Sequence, residues 1–210
     1  MDHRKIFGIG VSKTGTRSVA SALRLLGFRT WHKGGTPMDE LVERAAREGL
    51  PLLTHIGTDF DAYFDVTALV RRFAVLDEQY PGSRFILTTR DLDGLLDSRE
   101  RHLRGLCELR GLPLPDLDAE RAAWIADYEQ HHRAVSEYFA GRDDLLVLDV
   151  SAGDGWEKLA PFVGARVPRA DFPWENRGGR GTYHPDTSFD RTRRRARYAM
   201  ARLRRRVGLA

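Results

Sequence analysis

The chain has 210 residues, enough for one domain with a real core, and its 41% apolar and 30% charged residues exclude wholesale disorder. The net charge of +4 is unevenly divided: residues 191–210 hold nine arginines and no acid, which leaves 25 basic against 30 acidic residues in 1–190 and excludes a uniformly basic nucleic-acid binder. Cys107 stands alone, so an intrachain disulfide and a cysteine-based zinc site are excluded, and no apolar run approaches the roughly 18 residues of a membrane span. The first apolar run, residues 6–11, is too short for a signal-peptide core. The expectation is a soluble, cytoplasmic protein with one domain over 1–190 and a basic helical tail over 191–210.

Residues 5–11 (KIFGIGV) read as a short buried strand, and 17–26 as a helix with Val19, Ala22, Leu23 and Leu26 inward, ended by Gly27. A strand at 28–32 and a helix at 38–48 follow. Residues 62–66 form a brief apolar segment, and one helix is expected over 68–79, stopped by Tyr80-Pro81-Gly82-Ser83. The best strand is 84–89 (RFILTT), with Arg90-Asp91 at its carboxyl end. Helices are expected at 92–110, 117–139 and 156–162, and a strand at 145–150. Four or five strands alternating with helices predict an α/β fold of three layers around a central parallel sheet.

The stretch GIGVSKTGTRSVASALRLLGF, residues 8–28, joins the first strand to the first helix. Gly10 and Gly15 have the spacing of a P-loop, but Thr16-Arg17 stands where Lys-Ser/Thr is required. Gly8 and Gly10 begin a dinucleotide motif, but Lys13 occupies the third glycine position. What remains is physical. A strand delivers free amides onto a helix N-terminus, which attracts an anion, with Lys13 adding a full charge and Ser12, Thr14, Thr16 and Ser18 adding donors. A glycine turn whose Thr16 caps the helix would explain one hydroxyl and leave the lysine without a role.

Lys13-Thr14-Gly15-Thr16 at the end of the first strand resembles the 5'-phosphosulfate loop of the sulfotransferases that use 3'-phosphoadenosine 5'-phosphosulfate (PAPS). The second element of that family is an arginine at the end of a later strand with a serine eight residues on; Arg90 and Ser98 stand at that spacing in RFILTTRDLDGLLDS. The likeness extends to a bacterial, P-loop-like branch through residues 60–91 and 145–164, and covers about residues 5–176. The loop is thereby implied to share the P-loop-like position after the first strand.

The resemblance implies PAPS as co-substrate, its bisphosphate PAP as product, and no metal. Lys13 would neutralise the departing phosphate, and Ser12, Lys13, Thr14, Gly15, Thr16, Arg17 and Ser18 would hold the 5'-phosphate. Arg90 and Ser98 would fix the 3'-phosphate. Arg177-Gly178-Gly179, in FPWENRGGRG, resembles the segment that closes over it, with a plain surface loop as the other reading. A hydroxyl acceptor needs a base. Asp65, in DAYFDV, matches an aspartate of the branch and follows two aromatics that would desolvate it; Asp61 and His55 are alternates. The branch commonly has a proline soon after that aspartate, where this chain has Val66-Thr67-Ala68.

The expected acceptor is a small molecule or glycan presenting a hydroxyl or an amine, with no specific nucleic acid. LDVSAGDGWEKL, residues 148–159, resembles a methyltransferase glycine motif but falls too late for a full sheet to follow. His131, His132 and Asp127 read as a solvated helix face rather than a metal site. Trp31, Tyr63, Phe64 and Trp124 read as core, some of them available to line an acceptor site. The arginine tail would dock on the acidic body or touch an anionic surface. Two other classes fit parts of the chain: a divergent P-loop kinase, and a non-catalytic nucleotide fold acting through its tail.

Overall fold

The computed structural model describes residues 4–32 and 36–175. Its strands are β1 (Ile6–Gly8), β2 (Thr30–His32), β3 (Ala62–Phe64), β4 (Arg84–Thr88) and β5 (Leu145–Leu148). They form one all-parallel sheet in the order β2-β3-β1-β4-β5. The helices are α1 (Thr16–Leu25), α2 (Thr36–Arg47), α3 (Thr67–Val70), α4 (Phe73–Gln79), α5 (Leu92–Arg110), α6 (Leu117–Tyr138) and α7 (Trp156–Phe162).

Alternation along the strands builds the layers, because successive side chains leave opposite faces of a sheet. Phe7 and Ile9, Tyr63, and Phe85 and Leu87 point to one core, shared with Val42, Leu69, Leu76, Val135 and Phe139 of α2, α3, α4 and the α6 end. Ile6, Ala62, Phe64 and Ile86 point to the other, against Val19, Ala22 and Leu23 of α1 and Trp156 and Leu159 of α7. Both faces of the sheet are thus covered, which is why the strands read as apolar runs. The central strand, β1, lies between β3 and β4, so the segments leaving all three converge at their carboxyl ends, where such sheets bind ligands.

The expected single helix over 68–79 is two. The chain turns at Arg71-Arg72, where Arg72 (φ −111°, ψ 32°) leaves helical geometry and its Nη1 donates to Ala68 O at 3.0 Å, satisfying the end of α3. The helix at 92–110 and that at 156–162 stand as expected, and the strands are shorter than expected.

The histidines of α6 do not form a solvated face. His131 is buried, and its Nε2–H donates to Ile9 O at 2.6 Å, tying α6 to the segment leaving β1. His132 stacks on Tyr128 with ring centroids 4.0 Å apart. Burial, with the neighbouring His131 second, lowers the His132 pKa from 6.5 to about 4. The unfolded chain therefore takes up this proton near pH 6.5 and the folded chain only near pH 4, so stability declines as pH falls through that window. Allowing for its partial exposure, the loss is on the order of 2 kcal/mol. Urea unfolding at pH 7 and pH 4 should show a smaller difference in His132→Gln than in the parent.

Candidate active site

The loop leaving β1 is held by contacts that admit no side chain at Gly8 or Gly10. A Cβ on Gly10 would lie 2.0 Å from Thr88 Oγ1 and 2.5 Å from Thr88 O, and one on Gly8 would lie 2.0 Å from the Phe64 ring. Thr14 Oγ1 donates to Val11 O at 2.6 Å and lies 2.6 Å from Thr88 Oγ1, all of it buried. Since Thr14 spends its one proton on Val11, Thr88 is the donor of the second bond. The loop is therefore clamped to β4.

Lys13 (φ 75°) and Gly15 (φ 93°) are both left-handed, the kind of backbone that curls successive amides into an anion-binding concavity. Gly15, not Thr16, is the N-cap of α1, and no side chain caps the helix. The first-turn amides of α1 are thus left without a side-chain cap, as an anion site at a helix start requires. Three of the four hydroxyls singled out in the sequence are turned inward: Thr14 as above, Thr16 with its Oγ1 3.3 Å from His32 Nε2, and Ser18 accepting from Glu175 N at 3.0 Å. Ser12 and Arg17 remain exposed. What the loop offers an anion is chiefly amides and the Lys13 charge.

Lys13 is itself partly desolvated. Burial lowers its pKa below the ordinary 10.5, the Asp65 carboxylate works against that, and Arg17 adds to it. Asp65, half-buried at the end of β3, has φ 61°. Among the described residues, Lys13 and Asp65 are the two non-glycine residues with left-handed backbone. Such strain costs about 1 kcal/mol or more and persists where the surroundings over-determine it, which is typical of active sites. The proline absent after Asp65 is replaced by this kink followed directly by α3, whose first turn is held by Ala68 N donating to Asp39 Oδ1 at 2.8 Å.

The alternates for a base lie elsewhere. Asp61 sits at the amino end of β3, about 13 Å of extended chain from Asp65, and its Oδ2 accepts from Arg29 N at 2.7 Å. His55 is paired with Glu48 at 2.6 Å, in the connection between α2 and β3. Neither joins Lys13. Tyr63 and Phe64 turn into the two cores, so the surroundings of the Asp65 carboxylate come instead from a cavity of about 110 Å³ that it lines with Val11, Ser12, Val70, Arg71 and Arg99.

At the end of β4, Arg90 is not consumed by its neighbour. The Arg90 Nε to Asp91 Oδ2 distance is 3.9 Å, and Asp91 instead caps α5, accepting from Gly94 N at 2.6 Å. Arg90 Nε is buried without a hydrogen-bond partner. Its guanidine group folds over the first turn of α5 so closely that a Cβ on Gly94 would lie 2.8 Å from Nε. Ser98 is four residues beyond Gly94, hence on the same face of α5, so the arginine and the serine address one region. Tyr128 of α6 fixes the Arg90 backbone: its hydroxyl donates to Arg90 O at 2.9 Å and lies 2.6 Å from Thr89 Oγ1. One further turn along that face stands His102, whose pKa is lowered by burial and then by the Lys13 charge. The face of α5 that carries Gly94 and Ser98 therefore continues to a residue that feels the Lys13 charge.

Sequence reasoning missed Thr88, Gly94, His102, Arg71 and Arg99. Gly94 alone carried a signal, as a glycine inside a helical pattern; the others act through neighbours distant in the chain.

The remaining candidates separate clearly. Residues 149–154 close on themselves, with Asp149 Oδ1 accepting from Ala152 N at 3.0 Å and Asp154 Oδ2 from Asp149 N at 2.8 Å, and β5 is the last strand of the described residues. This is a turn into α7, not the start of a methyltransferase sheet. Phe172 stacks edge-on with Trp156 at 4.9 Å, and Glu175 bonds Ser18 and Ser21, bringing this segment along α1. Arg177, Gly178 and the arginine tail lie outside the described residues. Among the described residues no three His, Cys, Asp or Glu side chains converge as a metal site, and no helix is long and apolar enough to cross a membrane.

Compared with known proteins, the chain has no match among curated sequences. A family model described as a sulfotransferase domain matches residues 5–112 and 112–180, which takes in the loop of Lys13, the kink at Asp65 and the Arg90–Ser98 face of α5. The chain belongs to the sulfotransferase domain family.

Proposed function

We propose that the protein transfers a sulfuryl group from PAPS to a hydroxyl, or an amine, of a small-molecule or glycan acceptor. The observation that carries this reading is the pairing of Lys13 and Asp65. Two strained, oppositely charged residues feel one another's field beside an uncapped helix start, with Arg90 at the neighbouring strand end.

The amides of residues 14–18 hold the 5'-phosphate, and Arg90 and Ser98 hold the 3'-phosphate, the guanidinium suiting paired bonds to phosphate oxygens. The bond broken joins sulfur to the bridging oxygen of the donor; the bond formed joins sulfur to the acceptor oxygen. By analogy with phosphoryl transfer, charge gathers on the departing phosphate, and Lys13 neutralises it. Asp65 takes the proton of the acceptor hydroxyl. Ser12, at the cavity rim, and Arg17 lie within the loop that meets the donor, while Arg177 and Gly178 are proposed to close over it on the strength of family likeness alone. None of these steps asks for a metal.

A thermal-shift titration tests the reading against a kinase and against a non-catalytic module. At a hundredfold excess over its Kd, adenosine 3',5'-bisphosphate without magnesium should stabilise the protein by about 2.7 kcal/mol, roughly 5–10 °C in Tm. ATP with magnesium should do less; the reverse order favours the kinase. If deletion of residues 191–210 abolishes function while Lys13→Ala spares it, the module reading wins. Incubation with labelled PAPS and a cell extract would then show which molecule gains SO₃.

A further inference from the structure

The cavity beside Asp65 is lined by side chains that the transfer reaction does not use. Arg71, just after α3, Arg99 of α5 and Asp127 of α6 meet there. Arg71 Nη2 lies 2.5 Å from Asp127 Oδ1, and Arg99 Nη2 lies 3.8 Å from Asp127 Oδ2. Two guanidinium groups thus share one carboxylate, and the trio carries a net positive charge.

The two arginines are not equivalent. Arg71 and Asp127 are both more than one-third exposed, and a surface pair of that kind contributes little. Arg99 is 11% exposed, 6.0 Å from the centre of the Trp124 ring, too far from Asp127 for a hydrogen bond, and its Nε is buried with no partner. A buried guanidinium with an unmet donor is costly, and native proteins keep one where something else supplies the acceptor. Burial also lowers the Arg99 pKa, in keeping with an incompletely matched charge.

We propose that Arg71 and Arg99 form a subsite for an anionic group, carboxylate or phosphate, on the acceptor itself, placing the acceptor's hydroxyl against Asp65 on the same cavity wall. This rests on the sulfotransferase reading for the identity of the ligand as an acceptor; the anion site itself does not. Asp127 acts as the internal competitor that holds the two guanidinium groups in the absence of substrate. The acceptor class is therefore a hydroxy acid or a hydroxylated phosphoester rather than a neutral alcohol or sterol.

The test uses the full-length protein saturated with adenosine 3',5'-bisphosphate, so that the Lys13 loop is occupied. Sodium phosphate and, separately, sodium acetate are titrated at constant ionic strength, and binding is followed by calorimetry, with acetamide as the neutral control. One of the two anions should bind saturably and acetamide should not; tighter phosphate assigns a phosphoester and tighter acetate a carboxylic acid. Arg99→Gln should weaken that binding at least tenfold, and Asp127→Asn should strengthen it about threefold or more, having removed the competitor. A merely structural ion cluster would not change sign in this way. No saturable anion binding in the parent protein, equal binding of acetamide, or affinities unmoved by both variants would overturn the inference; the parent arm needs no variant to fold. Failure of the bisphosphate to bind would instead remove the sulfotransferase reading, and the anion titration is then run on Lys13→Ala.

Discussion

Lys13→Ala should lower kcat/KM for sulfuryl transfer by about a thousandfold or more and weaken binding of adenosine 3',5'-bisphosphate by at least tenfold. The lysine is the one full charge on the loop aimed at the departing phosphate, and electrostatic groups of this kind contribute several kcal/mol when water is excluded. Its partial burial makes the ammonium more effective and also easier to discharge. Because burial lowers its pKa, and activity needs the cation, the alkaline limb of the pH profile should fall below the 10.5 of an ordinary lysine. Single-turnover kinetics with labelled PAPS, alongside a binding titration of the bisphosphate, check both halves. Turnover retained within tenfold would rule out the lysine as the group that meets the leaving phosphate.

Asp65→Asn should reduce kcat by a hundredfold to ten-thousandfold, the span usual for a general base, while leaving bisphosphate affinity within about twofold. Asparagine is the appropriate replacement because it tolerates the left-handed backbone at this position as aspartate does, so loss of turnover cannot be traced to a relaxed kink. A second consequence follows from sign. The Asp65 charge holds the Lys13 pKa up against burial, so its removal should move the alkaline limb of bisphosphate binding to lower pH. A variant with full activity would remove the base assignment without touching the family; an unmoved alkaline limb would deny the coupling of the two residues.

The placement of Lys13 between β1 and α1, and of Arg90 and Ser98 between the end of β4 and α5, was legible in the sequence because each is local: a strand, a turn and a helix start read in one direction. The helices at 92–110 and 156–162 were equally legible, bounded by Asp91 and Gly111 in the first case and by Gly155 in the second. The break at Arg71-Arg72 was not, since Leu69 and Leu76 bury into the same core and the apolar period runs through the bend without glycine or proline to mark it. The roles of the loop hydroxyls were misjudged for a different reason. Thr14 is one residue among four similar ones in the sequence, and only its meeting with Thr88, 74 positions away, turns it inward. His131 is of the same kind, its partner being the carbonyl of Ile9 on another element. Arg71, Arg99 and Asp127 come from three separate helical regions, so nothing in their spacing announces a shared cavity.

The clamp between Thr14 and Thr88 has a bearing on how the donor is met. With the Thr14 hydroxyl committed to Val11 and Thr88 and Gly10 wedged against β4, the loop is a rigid mould cast before any guest arrives. Little ordering entropy is left to be lost on capture, so discrimination among adenosine derivatives becomes a matter of shape and charge matching to a fixed form rather than of a surface remodelling itself around each visitor.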